Sequence, residues 1–187
     1  IIRALIEGKD SAEWLADKAR GSLRGRREEL RVVLRVHVTE HHRFLLRELG
    51  DEVETVERRI ATLEMLMAGK MEPVSVQIER LTTIPGIDLI ASWALIAELG
   101  TYMTVFPDAQ HAASWAGLVP GSFESAGKRK SSRTRKGNRW IRRELCQSAW
   151  AVSHKKSCYL TACFHSHVAR AGVKKAIVAT AHQMLIL

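Results

Sequence analysis

The sequence has few residues of the kinds that crosslink a chain or anchor it in a membrane. Three cysteines in 187 residues do not make the paired framework of a disulfide-stapled protein, so a reducing cytoplasm is the expected compartment. No apolar run approaches the roughly 20 residues needed to cross a bilayer, which excludes a membrane-spanning protein. Nor does a charged start, an apolar stretch and a small-residue cleavage site mark a secretory signal.

Patterns typical of β-strands are also scarce. Between the four prolines and twelve glycines, apolar residues recur at spacings of three and four, which predicts helices. The chain is 46% hydrophobic and 26% charged, enough to bury a core and unlike a disordered tail. We therefore predict an all-α fold, with a helical linker over residues 1–74 and a compact helical domain over residues 75–187.

The predicted linker contains a long helical stretch with heptad spacing. Its apolar residues step by three and four, with charged residues on the outer positions, as in a coiled coil. Gly50 interrupts the stretch, so two interpretations stay open: a helix hairpin within one chain, and a seam between two copies. The stripe consists of Val53, Val56, Ile60, Leu63 and Met67.

The predicted compact domain starts after Pro73. Helices are expected from about 75 to the turn IPGI at 84–87, from 88 to about 98, and on either side of a break at Gly172. Asp108 and Asn138 are expected to cap two more, and the segment 118–136, rich in Gly, Ser and cations, is predicted to be a loop. The helix after Asn138 carries one apolar stripe, namely Ile141, Leu145, Ala149 and Val152.

The IPGI turn is typical of a helix-hairpin-helix. Such a turn aims free backbone amides, here those of Gly86 and Ile87, at a DNA phosphate without reading bases. The alternative is a tight structural turn between two core helices. Asp88 favours the alternative, because its carboxylate competes with a phosphate for the same amides.

One segment lacks acidic residues altogether. Residues 128–143 hold nine Lys or Arg and no acid, while the rest of the chain balances twenty of each sign, so the whole formal charge of +9 lies there. The cations do not line a helix with a broad apolar face, which favours nucleic acid over a membrane. The candidate phosphate-binding residues are Lys128, Arg129, Lys130, Arg133, Arg135, Lys136, Asn138, Arg139, Arg142 and Arg143.

A serine stands at the start of this segment, in the sequence ESAGKR at 124–129. A serine hydroxyl becomes a nucleophile when a base or metal takes its proton, and phosphoryl transfer needs cations around the phosphorus. Ser125 has cations next to it but no base at any recognisable spacing, and neighbouring hydroxyl residues compete for the role. The residues alone leave open whether Ser125 reacts with a phosphate or binds one.

Tryptophan and possible metal ligands need separate interpretation. Four tryptophans lie on apolar stripes and are predicted to be core residues: Trp14, Trp93, Trp115 and Trp150. Trp140, flanked by Arg139 and Arg142, is predicted to lie against a DNA sugar or base. No metal site is predicted, because the nearby ligand types do not share a helix face; these are Cys158, Cys163, His165 and His167.

Several motifs in order resemble the C-terminal domain of the insertion-sequence family 110 transposases. They are IPGI…LIAELG, F…ASWAGLVPG, ESAGKR, KGNRWIRREL and YLTACFHSHVARAGVKKAIVATAH, with RGSLRGRREEL and HHRFLL similar to that family's helical linker. The resemblance implies DNA transposition, with Ser125 as the nucleophile that becomes linked to DNA. It also implies a homo-oligomer formed through the linker, a structured guide RNA as partner, and a bacterial cytoplasmic, nucleoid-associated location.

The resemblance also implies a part that this sequence does not contain. The family pairs the serine domain with an N-terminal RuvC-like domain whose acidic residues bind a divalent metal, Mg²⁺, but no strands ending in aspartate occur before Ile84. Between Asp108 and Glu144 the only acid is Glu124. We therefore expect a fragment that holds no cofactor and is inactive alone. The alternatives are a non-catalytic nucleic-acid-binding remnant and an oligomerisation module.

Overall fold

The computed structural model describes residues 1–9, 11–35, 38–121, 123–125, 128–131 and 133–187, with backbone only for 123–125 and 128–131. The chain forms two compact units, Ile1–Gly69 and Lys70–Leu187. The predicted boundary between residues 74 and 75 lies slightly further along the chain. The described residues contain ten α-helices and two short strands, which confirms the all-α class.

The first unit consists of four α-helices. They are α1 (Ile2–Ile6), α2 (Ala12–Asp17), α3 (Arg27–Val33) and α4 (Glu40–Met71), with a 3₁₀ turn at Gly21–Arg26. Ser11 caps α2 by accepting the Trp14 amide at 3.4 Å, which fills one of the open N-terminal donors. Its core is small.

Helix α4 runs without a break through Gly50. The hairpin interpretation of this stretch is therefore wrong. One glycine inside a helix costs about 0.5–1 kcal/mol, which is too little to interrupt a helix of 32 residues. None of its residues is buried, and the stripe from Val53 to Met67 is 36–59% exposed.

The second unit is built from six α-helices and confirms the predicted order. The helices are α5 (Ser75–Thr82), α6 (Leu89–Leu99), α7 (Ala109–Trp115), α8 (Arg139–Ser153), α9 (Tyr159–Ala171) and α10 (Val173–Ile186). Asp88 and Asp108 cap α6 and α7, accepting the amides of Ala91 and His111 at 2.8 and 2.9 Å. In the described part of the chain, no helix combines the length and apolarity needed to cross a membrane.

Helix α8 lies at the centre of the second unit. Its predicted stripe is fully buried, with Ile141, Leu145, Ala149 and Val152 at 1% exposure or less. The stripe packs against apolar residues of α6, α9 and α10. The core therefore holds α8 in place, and with it the cationic residues at its N-terminal end.

Three of the four tryptophans predicted as core residues are not in the core. Trp93 is 5% exposed, but Trp14, Trp115 and Trp150 are 41, 39 and 49% exposed. A spacing of three and four finds the apolar side of a helix but not the edge of that side. A large indole at the edge remains half in solvent.

Candidate nucleic-acid interface

The segment predicted as a loop is an antiparallel arm, which we call the basic arm (residues 118–137). At its base Gly117 and Gly137 touch backbone to backbone. A Cβ atom on Gly137 would lie 2.3 Å from the Gly117 nitrogen and 2.6 Å from the Trp115 carbonyl oxygen. The Asn138 amide donates to that same Trp115 oxygen at 3.0 Å. The two ends of the arm are thus joined directly where they meet the helical core.

Above the base, backbone hydrogen bonds between the two sides of the arm continue toward the tip. Arg135 donates its amide to Val119 at 3.4 Å, and Gly121 donates to Arg133 at 2.9 Å, with an antiparallel bridge between them at Pro120 and Thr134. Strands β1 (Phe123–Ser125) and β2 (Lys128–Ser131) follow. The segment predicted as a loop therefore contains two short paired strands. The arm lacks the alternation of apolar and polar residues by which a half-buried strand is recognised.

The register of the two strands places the candidate nucleophile at the tip. Ser125 is paired with Lys128, and Glu124 is paired with Arg129, with an irregularity between Phe123 and Glu124. Residues 126 and 127, which join the strands, lie outside the described residues. The backbone therefore pairs Ser125 with the lysine of its own ESAGKR motif.

Asn138 fixes the first turn of α8 with both ends of its side chain. Its Oδ1 accepts the amides of Trp140 and Ile141 at 2.9 and 3.2 Å. Its Nδ2 donates to Glu98 Oε2 on α6 at 2.6 Å. The cap was predicted, but the anchor to Glu98 was not, since no local signal links residues forty positions apart. Asn138 is thereby a positioning residue for this turn, and its contact with a phosphate stays a prediction.

Several predicted cations lie exposed at the arm and the first turns of α8. Arg133, Arg135, Lys136, Arg139 and Arg143 are exposed, and Arg142 is half-buried. Within the described ranges, no carboxylate pairs with the five cations from Arg135 to Arg143. Their charge remains available to a polyanion. The positions of the Lys128, Arg129 and Lys130 side chains lie outside what is described.

The IPGI turn has a packing role in the second unit. Gly86 has φ +91°, and a Cβ there would lie 2.5 Å from Val152 Cγ2 and 2.6 Å from the Ser148 carbonyl oxygen. Ile87 is 5% exposed, and its amide donates to Ile84 at 3.1 Å. These contacts favour the structural alternative, and phosphate contact at Gly86 and Ile87 stays a prediction.

The described residues do not form a metal site. No three His, Cys, Asp or Glu side chains gather anywhere in the described ranges, and Mg²⁺ prefers clustered carboxylate and water oxygens. The magnesium implied by the resemblance does not fit these residues. Near the interface, burial raises the pKa of the Cys146 thiol despite the opposing charge of Arg142. That thiol is therefore protonated at neutral pH.

The fold and the site define a class of protein: an all-α domain with an arm whose cations outnumber its acids. Residues 78–164 match the sequence model of the Transposase IS116/IS110/IS902 family. A curated relative from Pseudomonas aeruginosa, named "Probable family 20 transposase", is 34% identical over 109 residues, which is 58% of this chain and 32% of the relative. No solved structure matches the chain.

The matched segment begins in α5 and ends in α9, so it contains the basic arm and all of α8. Over this segment the chain is similar to the IS116/IS110/IS902 family of transposases. The chain spans about a third of the relative's length.

Proposed function

We propose that this chain is the DNA-engaging, nucleophile-bearing part of a DNA transposase. The observation that carries the proposal is the basic arm, which continues into α8 with nine cations and no acid from 128 to 143. Each phosphate neutralised by such a surface releases counterions, so binding is sequence-independent and falls steeply with salt. The Gly117–Gly137 contact and the Asn138 cap hold this charge at one place on a packed domain.

The reaction we propose is a transesterification at a DNA phosphodiester. The Ser125 oxygen forms a bond to phosphorus, and one phosphorus–oxygen bond of the DNA backbone breaks. The departing deoxyribose oxygen leaves as a hydroxyl, so the proton lost by serine is balanced by the one gained there. The step consumes neither water nor a nucleotide. The bond energy is kept in the serine–DNA ester and supports later rejoining.

The register at the tip of the arm supports this role for Ser125. Lys128 is the cross-strand partner of Ser125 in the backbone register, and directly opposed residues of an antiparallel pair are close neighbours. Arg129 and the exposed Arg133 and Arg139 follow along the arm and α8. Positive charge at these positions would stabilise the charge that builds on the phosphoryl oxygens during attack.

The test is covalent trapping of this chain within the full-length transposase, on nicked or branched DNA with a label on each strand. We expect Ser125→Ala to abolish the protein–DNA adduct. Ser131→Ala, in the opposite strand of the same arm, is the matched control and is expected to retain it. An adduct that persists in Ser125→Ala contradicts the assignment. The isolated chain is expected to bind DNA and form no adduct.

The second candidate is a non-catalytic nucleic-acid-binding module, a remnant of such a transposase. It uses the same cations and gives no chemical role to Ser125. Both candidates predict salt-sensitive binding that survives Ser125→Ala. They differ in the full-length protein, where only the first predicts an adduct that depends on Ser125. DNA and a structured guide RNA are the partners that follow from the first.

We propose that this protein forms an oligomer by self-association through α4. Because α4 is continuous, the stripe extends back from Val53 to Leu49 and Leu46 at the same spacing. The pattern covers residues 46–67, about three heptads, the length at which a coiled coil is indicated. Within the described first unit, Leu49, Val53, Ile60 and Leu63 are 49–59% exposed.

Sedimentation equilibrium of the chain tests the pairing. Ile60→Asp places a charge in the middle of the seam and is expected to raise the dissociation constant of the oligomer by roughly tenfold or more. Thr62→Asp, an exposed position outside the stripe, is the matched control and should change it little. A wild-type chain that stays strictly monomeric contradicts the proposal.

A further inference from the structure

One large aromatic side chain lies beside the basic arm and outside the hydrophobic core. Trp140 lies in the first turn of α8, and its side chain is 50% exposed. The guanidinium carbon of Arg139 lies 4.6 Å from the centre of its ring. An exposed indole with an arginine beside it, next to a cationic segment, has the combination of groups on which an unpaired base stacks. We infer that Trp140 and Arg139 form a stacking site for an unpaired nucleobase.

The backbone beneath this site is fixed by the contacts of three neighbouring residues. Asn138 accepts the Trp140 amide at 2.9 Å and is itself tied to Glu98 at 2.6 Å. The next residue, Ile141, is buried at 1% exposure in the core. Gly137, just before the cap, is held against Gly117. A ring carried on so constrained a turn loses little freedom when a base stacks on it, which favours binding.

The chemistry of the surroundings selects the ligand. A nucleobase offers a flat π-face, and its attached phosphates are anionic. Stacking on an aromatic side chain is sequence-tolerant, and an arginine adds a cation–π contact and a partner for phosphate. A base inside a duplex already has both faces covered by its neighbours. The site therefore fits a base that is unpaired, as at a bulge, a nick or a branch.

A second tryptophan on the same helix provides a contrast. Trp150 is 49% exposed, but its ring contacts His154 edge-on at 4.9 Å and lies at the other end of α8, away from the arm. The two indoles are thus matched in exposure and in helix. Trp140 has an arginine beside its ring, whereas Trp150 has a histidine. Trp150 also lies farther along the chain from the cationic segment.

The inference rests on the proposed function, since it requires that the chain bind nucleic acid. The test measures binding of the full chain to two oligonucleotide duplexes, one fully paired and one with a single 2-aminopurine bulge. The readouts are fluorescence polarisation for affinity and quenching of 2-aminopurine for stacking. We expect tighter binding of the bulged duplex by roughly tenfold, together with quenching.

Trp140→Leu is expected to remove both the quenching and the preference, the latter measured as the ratio of the variant's own affinities for the bulged and the paired duplex. Trp140→Phe is expected to retain part of both, and Trp150→Leu to retain them in full. Melting curves for each variant show that it is folded, and Trp140→Phe keeps the test decisive if Trp140→Leu is not. Binding without any preference, or a preference that survives in Trp140→Leu, contradicts the stacking site alone. Failure to bind either duplex at low salt contradicts the proposed function as well.

Discussion

Helices α4 and α8 have the same kind of sequence pattern and opposite surroundings. Helix α4 has 32 residues and buries none of them. Helix α8 has 15 and buries five. The apolar spacing of three and four predicts both helices, but it says nothing of what covers the stripe. The difference teaches that helical pattern and core membership are separate properties, and only packing supplies the second.

The two units differ in charge in a parallel way. Residues 1–69 hold thirteen Lys or Arg and thirteen Asp or Glu, while residues 70–187 hold sixteen and seven. The first unit is thus neutral and has an exposed apolar stripe, whereas the second is basic and has a buried one. Such a division suits association of the first unit with protein and of the second with a polyanion.

The largest predicted effect compares one substitution in the two helices. Leu145→Ala in α8 removes a side chain that is 1% exposed and should lower the free energy of unfolding by about 2–5 kcal/mol. Leu63→Ala in α4, where the side chain is 59% exposed, should change it by less than about 0.5 kcal/mol. Urea denaturation at a concentration where the chain is monomeric measures both. Similar losses would show that α4 is covered by its own chain.

Two glycines sharpen the comparison by predicting changes of opposite sign. Gly137→Ala would place a Cβ 2.3 Å from the Gly117 nitrogen, and the required shift at the base of the arm should cost about 1–3 kcal/mol. Gly50→Ala in α4 meets nothing within 4 Å and should stabilise the helix by about 0.5–1 kcal/mol. Denaturation midpoints give both signs. A stabilising Gly137→Ala would be incompatible with the close contact.

The smallest predicted effect concerns the cap of α8. Asn138→Ala removes the acceptor for two amides and should cost about 1 kcal/mol of stability. Asn138→Ser keeps an acceptor at this position and should cost only a few tenths of that. Thermal melts of the two variants make the comparison. If both lose the same stability, the bond to Glu98, rather than the cap, holds the turn.

How far the sequence predicts this molecule depends on how local each signal is. The caps at Asp108 and Asn138 and the stripe of α8 depend on residues within one or two turns, and all were predicted. The anchor between Asn138 and Glu98 and the contact between Gly117 and Gly137 join distant parts of the chain, and neither was foreseen. The site was located from the sequence by its charge, which can be counted without knowing any contact. Its shape as a paired arm depends on backbone hydrogen bonds between the two sides of the arm.

The central proposal is that DNA binding by this chain depends on the place of its charge and not on the total. The most direct test compares two variants that each lose three exposed cations of the second unit. One replaces Arg135, Lys136 and Arg143 by Gln, and the other replaces Lys155, Lys156 and Lys174 by Gln. The measurement is the affinity for a labelled duplex over a series of salt concentrations.

We expect the first variant to bind at least roughly tenfold more weakly, and the slope of log K against log salt to fall by about two to three. The second variant, with the same net charge, should keep nearly the wild-type affinity and slope. Equal losses in the two variants would contradict the account, because they would make total charge, rather than the arm and the start of α8, the source of binding.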